Sequence, residues 1–286
     1  MPLAMFAPTP MAVLAIRRGE SLFLGMAALG AVLCGLLLGP PSAVAYLFVV
    51  ALPALLIGRG LAFDWAPEKI VGIAAVILTA VTITALEALA PGGLRPWIAE
   101  LVTQTVEMYR QAGAPPEMIG ALESRTDSTA TFLYYITPMA FMWSGMGVAA
   151  AGLLATRAVF QRQPHPAVTL TDLTRWSLPD GWIWVLIGSA GLLLLPVDPL
   201  RIVGGNVLGI LSLAYAFQGW AVMVYVFRAK QVHIAVQAGV YVALLLWPVL
   251  AIFLVGLGVF DLWTDVRRVR QPEPPAPDTP APPDDT

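Results

Sequence analysis

One stretch of the chain decides the fold class: from Ile70 to Ala90 it reads IVGIAAVILTAVTITALEALA and is closed by Pro91-Gly92-Gly93. An apolar run of about 20 residues is long enough to cross the hydrocarbon core of a bilayer as a helix. The run is typical of this chain, since 58% of its 286 residues are hydrophobic and only 12% are charged. Soluble domains carry about twice that share of charged residues. The composition therefore predicts an integral membrane protein.

Six further apolar runs are bounded by charged residues, prolines or glycines, and two of them, Ser42–Ile57 and Trp182–Val197, are short for a span. The sequence predicts an all-α, polytopic transmembrane helical bundle of about seven spans, occupying residues 21–270. The predicted spans are Ser21–Leu38, Ser42–Ile57, Ile70–Ala90, Thr129–Ala155, Trp182–Val197, Ile202–Phe227 and Ile234–Phe260.

An apolar segment, residues 1–20, precedes the bundle and contains the pair Arg17-Arg18. A secretory signal carries its positive charges before the apolar stretch, and here they follow it. The segment is too short to span. Three interpretations stay open: a half-span, an interfacial segment, or the end of a helix whose beginning is missing.

The distribution of arginine and lysine predicts the orientation. If the amino end is cytoplasmic, the inner loops hold more basic residues than the outer loops, in agreement with the positive-inside rule. The cluster Arg267, Arg268 and Arg270 disagrees, because a seventh span would place it outside. The inner residues are Arg17, Arg18, Arg59, Lys69, Arg157, Arg162, Arg175, Arg228 and Lys230, and the outer ones are Arg95, Arg110, Arg125 and Arg201.

Two regions outside the spans have a recognisable character. In the outer loop, residues 91–128, apolar side chains between Trp97 and Tyr109 recur at helical spacing, which predicts an amphipathic helix on the membrane or across the mouth of the bundle. Residues 271–286 are rich in proline and acids and contain no base, so we expect a disordered tail.

Several classes of function are disfavoured by the composition. A net charge of -2 argues against a nucleic-acid partner, and one cysteine with two histidines argues against a disulfide framework or a Cys/His metal site. No catalytic or phosphate-binding motif is present in the sequence. We therefore predict no catalytic residues, no metal and no cofactor, and a protein that is not an enzyme.

Polar residues within apolar spans are the best candidates for a site, because each costs free energy unless it has a partner or a role. Tyr215 and Gln218 lie near one face of the sixth span, and Asn206 lies nearer its outer end. For Gln218, a ligand contact and a hydrogen bond between helices are equally compatible with the sequence. Glu87, near the outer end of the third span, is a further ligand-binding candidate, and a water-exposed carboxylate at the interface is its simpler interpretation.

The carboxyl end of the apolar region alternates in charge. Asp261, Asp265 and Arg267-Arg268 predict an exposed helical extension whose charges neutralise one another. Glycines spaced by four, such as Gly205 and Gly209, predict close helix packing.

Four segments resemble the YybS-like family of uncharacterised bacterial multi-pass membrane proteins. They are PTPMAVLAIRRG at Pro8–Gly19, RWSLPD at Arg175–Asp180, FQGWAV at Phe217–Val222 and LGVFDLWTDVRR at Leu257–Arg268. Their order and spacing extend the resemblance over most of residues 1–270.

That family is similar to the substrate-binding components of energy-coupling-factor transporters. The resemblance implies a bundle in the bacterial inner membrane with a ligand pocket towards its outer side, an unknown small molecule as ligand and an ATPase-driven transport module as partner. The Pro-x-Pro segment comes within ten residues of Met1, so the family's preceding helix is absent or the start is placed late. The alternative function is a non-transporting membrane scaffold in envelope assembly, which would contact another membrane protein.

Overall fold

The computed structural model describes residues 5–168, 170 and 172–267, and the predicted tail, residues 271–286, lies outside them. All regular structure in the described residues is helical, which confirms the all-α membrane bundle. The helices are α1 Pro8–Arg18, α2 Glu20–Leu38, α3 Pro40–Tyr46, α4 Leu52–Ala62, α5 Pro67–Leu89, α6 Leu94–Gln111, α7 Pro116–Glu123, α8 Thr126–Arg162, α9 Trp182–Leu192, α10 Asp198–Ala229, α11 Ile234–Leu246 and α12 Ala251–Thr264.

In the described part of the chain, five helices are long and apolar enough to cross a membrane. One of them is composite, because a π-helical turn, Leu47–Ala51, joins α3 to α4 in a continuous rod, Pro40–Ala62. Pro53 follows the turn and has no N–H with which to continue the regular ladder. The other four are α2, α5, α8 and α10, while α9, α11 and α12 are shorter apolar helices.

The outer surface of the helices suits a lipid environment. Leu36, Leu37 and Leu38 at the end of α2 are each more than three quarters exposed, and Trp184 and Phe253 are similarly exposed. Large apolar side chains exposed in this way are unfavourable in water and favourable against lipid chains. The chain is therefore a multi-pass membrane protein.

The predicted seventh span differs from the structure. Ile234–Phe260 is divided between α11 and α12, with a 3₁₀ turn, Pro248–Leu250, between them. The physical reason is Pro248, whose nitrogen cannot donate to the carbonyl of Leu244, so the helix ends before it.

The amino-terminal apolar segment forms α1, which packs against α4, α2 and α8. Its residues Pro8 and Ala12 are buried. Ala15 lies so close to Gly58 that a Cβ at Gly58 would be 3.2 Å from the Ala15 Cβ. The segment therefore contains a short helix whose buried face, Pro8 and Ala12, packs against the core of its unit.

The chain forms two compact units. The first comprises Met1–Thr171 and Gly181–Leu213, and the second comprises Asp172–Asp180 and Ala214–Thr286. The continuous helix α10 contributes its first part to the first unit and its second part to the second unit.

Helices α5 and α8 form the central pair of the first unit. A Cβ at Gly145 of α8 would lie 3.0 Å from the Cα of Ala75 in α5, so the absent side chain lets the two backbones touch. Helix α6, in the predicted outer loop, packs on α8 and buries Ile98 and Val106. This packing positions the start of α6 beside the site described next.

Candidate functional site

The four residues predicted as ligand contacts are divided between the two units. Glu87 and Asn206 belong to the first unit, while Tyr215 and Gln218 belong to the second. Each pair has its own surroundings, which are described in turn.

Asn206 of α10 hydrogen-bonds the backbone of α8 beside Pro138. Its Oδ1 accepts from the N–H of Met139 at 3.0 Å, and its Nδ2 donates to the carbonyl of Tyr135 at 2.8 Å. In a regular helix these two backbone groups pair with each other, because residue 139 donates to residue 135. Asn206 therefore serves as a polar bridge across the irregularity that Pro138 introduces.

The bridge uses most of the hydrogen-bonding capacity of Asn206. Its second Nδ2 hydrogen is directed to the carbonyl of Ile202 at 2.9 Å. Both donors are thus engaged, and only one lone pair on Oδ1 remains for a further partner. Asn206 can offer a ligand one acceptor and no donor.

An open cavity of about 400 Å³ lies next to Asn206 in the first unit. This volume lies within the range of small-molecule sites, about 300–1,000 Å³. Almost all of the lining is apolar or aromatic. The lining residues are Ile83, Leu94, Tyr134, Tyr135, Pro138, Ile202, Val203, Asn206 and Val207.

Glu87 fixes the element that forms one wall of the cavity. Its Oε2 accepts from the N–H of Leu94 at 2.9 Å, at the first residue of α6. A carboxylate at this position satisfies an otherwise unpaired donor and interacts favourably with the helix dipole. The next residue, Arg95, lies over the ring of Tyr134, with 5.9 Å between the guanidinium carbon and the ring centroid. A positive charge therefore stands beside an aromatic residue of the cavity.

Gln218 lies in the second unit and is fully buried. Its Oε1 accepts from the N–H of Leu178 at 2.9 Å, and its Nε2 donates to the carbonyl of Gly258 at 3.1 Å. The same Nε2 lies 3.4 Å from Oδ2 of Asp261. The side chain thus connects α10 to α12 and to the segment Asp172–Asp180.

Tyr215 is also fully buried, where α10 and α12 pack against each other. A Cβ at Gly258 would lie 2.1 Å from the carbonyl oxygen of Tyr215, and one at Gly219 would lie 1.9 Å from that of Leu254. These distances are far below van der Waals contact, so only glycine allows α10 and α12 to approach this closely.

Asp261 and Arg267 correct the expectation of an exposed charged extension, since both are buried. Nη2 of Arg267 donates to Oδ2 of Asp261 at 2.6 Å. Nη1 donates to the carbonyls of Thr174 at 2.7 Å and Trp176 at 2.6 Å. The charges neutralise each other as expected, but inside the protein.

The left-handed conformation of Asp265 explains this geometry. With φ 41° and ψ 51°, Asp265 ends α12 and turns the chain back, so Arg267 returns to a residue six positions earlier. A helical pattern pairs residues three or four apart and does not predict this contact. A usable signal was present in the sequence, because Asp261 interrupts an otherwise apolar run and needs a partner there.

Of the comparisons with known proteins, only the one with protein families gave a match. No curated protein and no solved structure matches the chain. A family described as "Predicted membrane protein (DUF2232)" matches residues 1–262, which is nearly the whole described chain. This multi-pass helical protein belongs to that membrane protein family.

Proposed function

We propose that this protein binds an apolar small molecule in the cavity beside Asn206, and that it does so in a bacterial inner membrane. The observation that carries the proposal is the cavity itself, which combines a suitable volume with an apolar and aromatic lining. The resemblance to substrate-binding components of energy-coupling-factor transporters supports the same role.

The chemistry of the wall defines the ligand class. Because both donors of Asn206 are engaged by backbone carbonyls, the ligand gains little from polar contacts with it. Its affinity would come from burial of apolar surface, about 25 cal/mol per Å².

Uptake of such a ligand would require a partner. The sequence contains no phosphate-binding loop, so the energy for transport would come from a separate ATPase module. In this scheme the protein is a binding component rather than an enzyme. The alternative function, a non-transporting membrane scaffold, needs neither a ligand nor an ATPase.

Native mass spectrometry of protein extracted from its own membranes in mild detergent tests the proposal. We expect a stoichiometric bound small molecule on the wild type. Val207→Trp and Ile83→Trp fill the cavity and should abolish retention. Val76→Trp, on an exposed position of α5, is the matched control and should retain the ligand. These variants leave the Asn206 bridge intact, so that loss of binding is separated from loss of folding.

Two results would contradict the binding role: a wild-type protein without a ligand, or equal retention by all three tryptophan variants. A co-extracted ATPase pair would support the transport partner. Co-extraction of envelope-assembly proteins with an empty cavity would favour the scaffold.

A further inference from the structure

A continuous helix over the region of α11 and α12 would be long enough to cross a bilayer, whereas each of the two helices is too short to cross it alone. A continuous helix over Ile234–Thr264 would be about 45 Å long, whereas each separate helix is about 20 Å long. The hydrocarbon core of a bilayer is about 30 Å thick. The path of the chain between the two helices therefore decides on which side the carboxyl end lies.

The beginning of this region turns back along α10. Gln231 has a left-handed backbone, φ 49°, in the short turn between α10 and α11. The ring of Tyr241 in α11 then stacks on Trp220, with 5.1 Å between centroids, and meets Phe227 edge-on at 6.1 Å. Helix α11 therefore returns beside the last turns of α10.

The end of the region returns to the segment where it began. Arg228, at the end of α10, lies 3.5 Å from Asp172, while Arg267, after α12, donates to the carbonyls of Thr174 and Trp176. From residue 172 to residue 176 even an extended chain covers only about 14 Å. A seventh span would separate these two anchors by the thickness of the membrane.

We infer that α11 and α12 form a re-entrant hairpin, which enters and leaves the membrane on the side of the carboxyl end of α10. The buried ion pair of Asp261 and Arg267, together with Gln218, holds its second arm against α10. The close approach at Gly219 and Gly258 completes this attachment.

The hairpin resolves the disagreement between the basic residues that follow α12 and the positive-inside rule. Arg267, Arg268 and Arg270 join Arg228 and Lys230 on one side, and the positive-inside rule makes that side cytoplasmic. The chain beyond Arg267, with its acidic and proline-rich residues 271–286, therefore continues in the cytoplasm. A partner that binds this tail would be a cytoplasmic one.

Cysteine labelling of the full-length protein in intact cells tests the hairpin. Cys34→Ser provides the background, since it removes the single native thiol. Thr279→Cys probes the tail, Lys230→Cys marks the end of α10, and Val197→Cys marks the residue before α10 begins. We expect a maleimide that cannot cross the inner membrane to label Val197→Cys in intact cells whose outer envelope has been permeabilised. Thr279→Cys and Lys230→Cys should react with the maleimide only after the inner membrane is permeabilised.

Labelling of Thr279→Cys together with Val197→Cys while the inner membrane is intact would overturn the hairpin. A second measurement does not depend on added cysteines. Green fluorescent protein fused after Thr286 should fluoresce and alkaline phosphatase fused there should be inactive, whereas the reverse pattern would show that α11 and α12 cross the membrane.

Discussion

The guanidinium of Arg267 and the carboxylate of Asp261 form an ion pair closed to solvent, with side-chain exposures of 0% and 2%. Two nitrogens of the arginine donate to Oδ2, Nη2 at 2.6 Å and Nε at 3.1 Å. Such a pair offsets a large desolvation cost only while both partners are present. The loss of one partner should therefore lower the free energy of unfolding by more than half of the loss expected when both residues are replaced.

Arg267→Met and Asp261→Leu should each lower the free energy of unfolding by about 3–5 kcal/mol, because each leaves a buried charge without its partner. The double variant should lose less than the sum of the two. Unfolding by titration with sodium dodecyl sulfate in mixed micelles measures all three. Arg228→Met is the matched control, since its ion pair with Asp172 is exposed and worth about 1 kcal/mol or less. Strictly additive losses would contradict the coupling.

Alanine at Gly219 or Gly258 should destabilise the second unit. The added methyl group would meet the backbone oxygen of Leu254 or of Tyr215, and backbone cannot move aside as a flexible side chain does. We expect a loss of about 2–3 kcal/mol or more from overpacking. Gly239→Ala on α11 is the control, because nothing lies within 4 Å of a Cβ there. Equal thermal stability of the three variants would argue against the close helix contact.

Asn206→Leu should destabilise the first unit by about 1–3 kcal/mol, because the N–H of Met139 and the carbonyl of Tyr135 lose their partner. Pro138→Ala should make that loss smaller, since alanine lets α8 form a regular ladder. A double-mutant cycle of thermal unfolding in detergent measures the coupling between the two positions. A cost of Asn206→Leu that is the same with and without Pro138 would show that the amide does not serve the irregular turn.

Glu87→Ala should loosen the start of α6 by about 1 kcal/mol, because the N–H of Leu94 loses its acceptor. Hydrogen exchange of the amides of Leu94, Arg95, Trp97 and Ile98 should become faster. Glu87→Gln keeps an acceptor oxygen and should lie between the alanine variant and the wild type. In Glu100→Ala, a control within α6, exchange at the start of the helix should be unchanged.

The site predictions from sequence were limited to the identity of polar residues within apolar spans. The sequence predicts a site at Asn206, Tyr215, Gln218 and Glu87 because polar groups in lipid need partners. Glu87 has a partner only seven residues away, at Leu94, whereas Leu178 is 40 residues from Gln218 and Met139 is 67 residues from Asn206. The buried Arg267, which is not among these four residues, donates to a carbonyl 93 residues away. No local periodicity contains such separations.

The class of this protein and the approximate positions of its helices follow from the amino-acid sequence alone. The reason is local, since an apolar segment in a bilayer must satisfy its own backbone hydrogen bonds and therefore becomes a helix wherever it is long enough. The turn between α11 and α12, and the partners of Asp261 and Asn206, become visible only in the folded protein. Those features depend on non-local contacts, in which a buried charge or an unpaired backbone group takes whichever partner the packing of the helices brings to it.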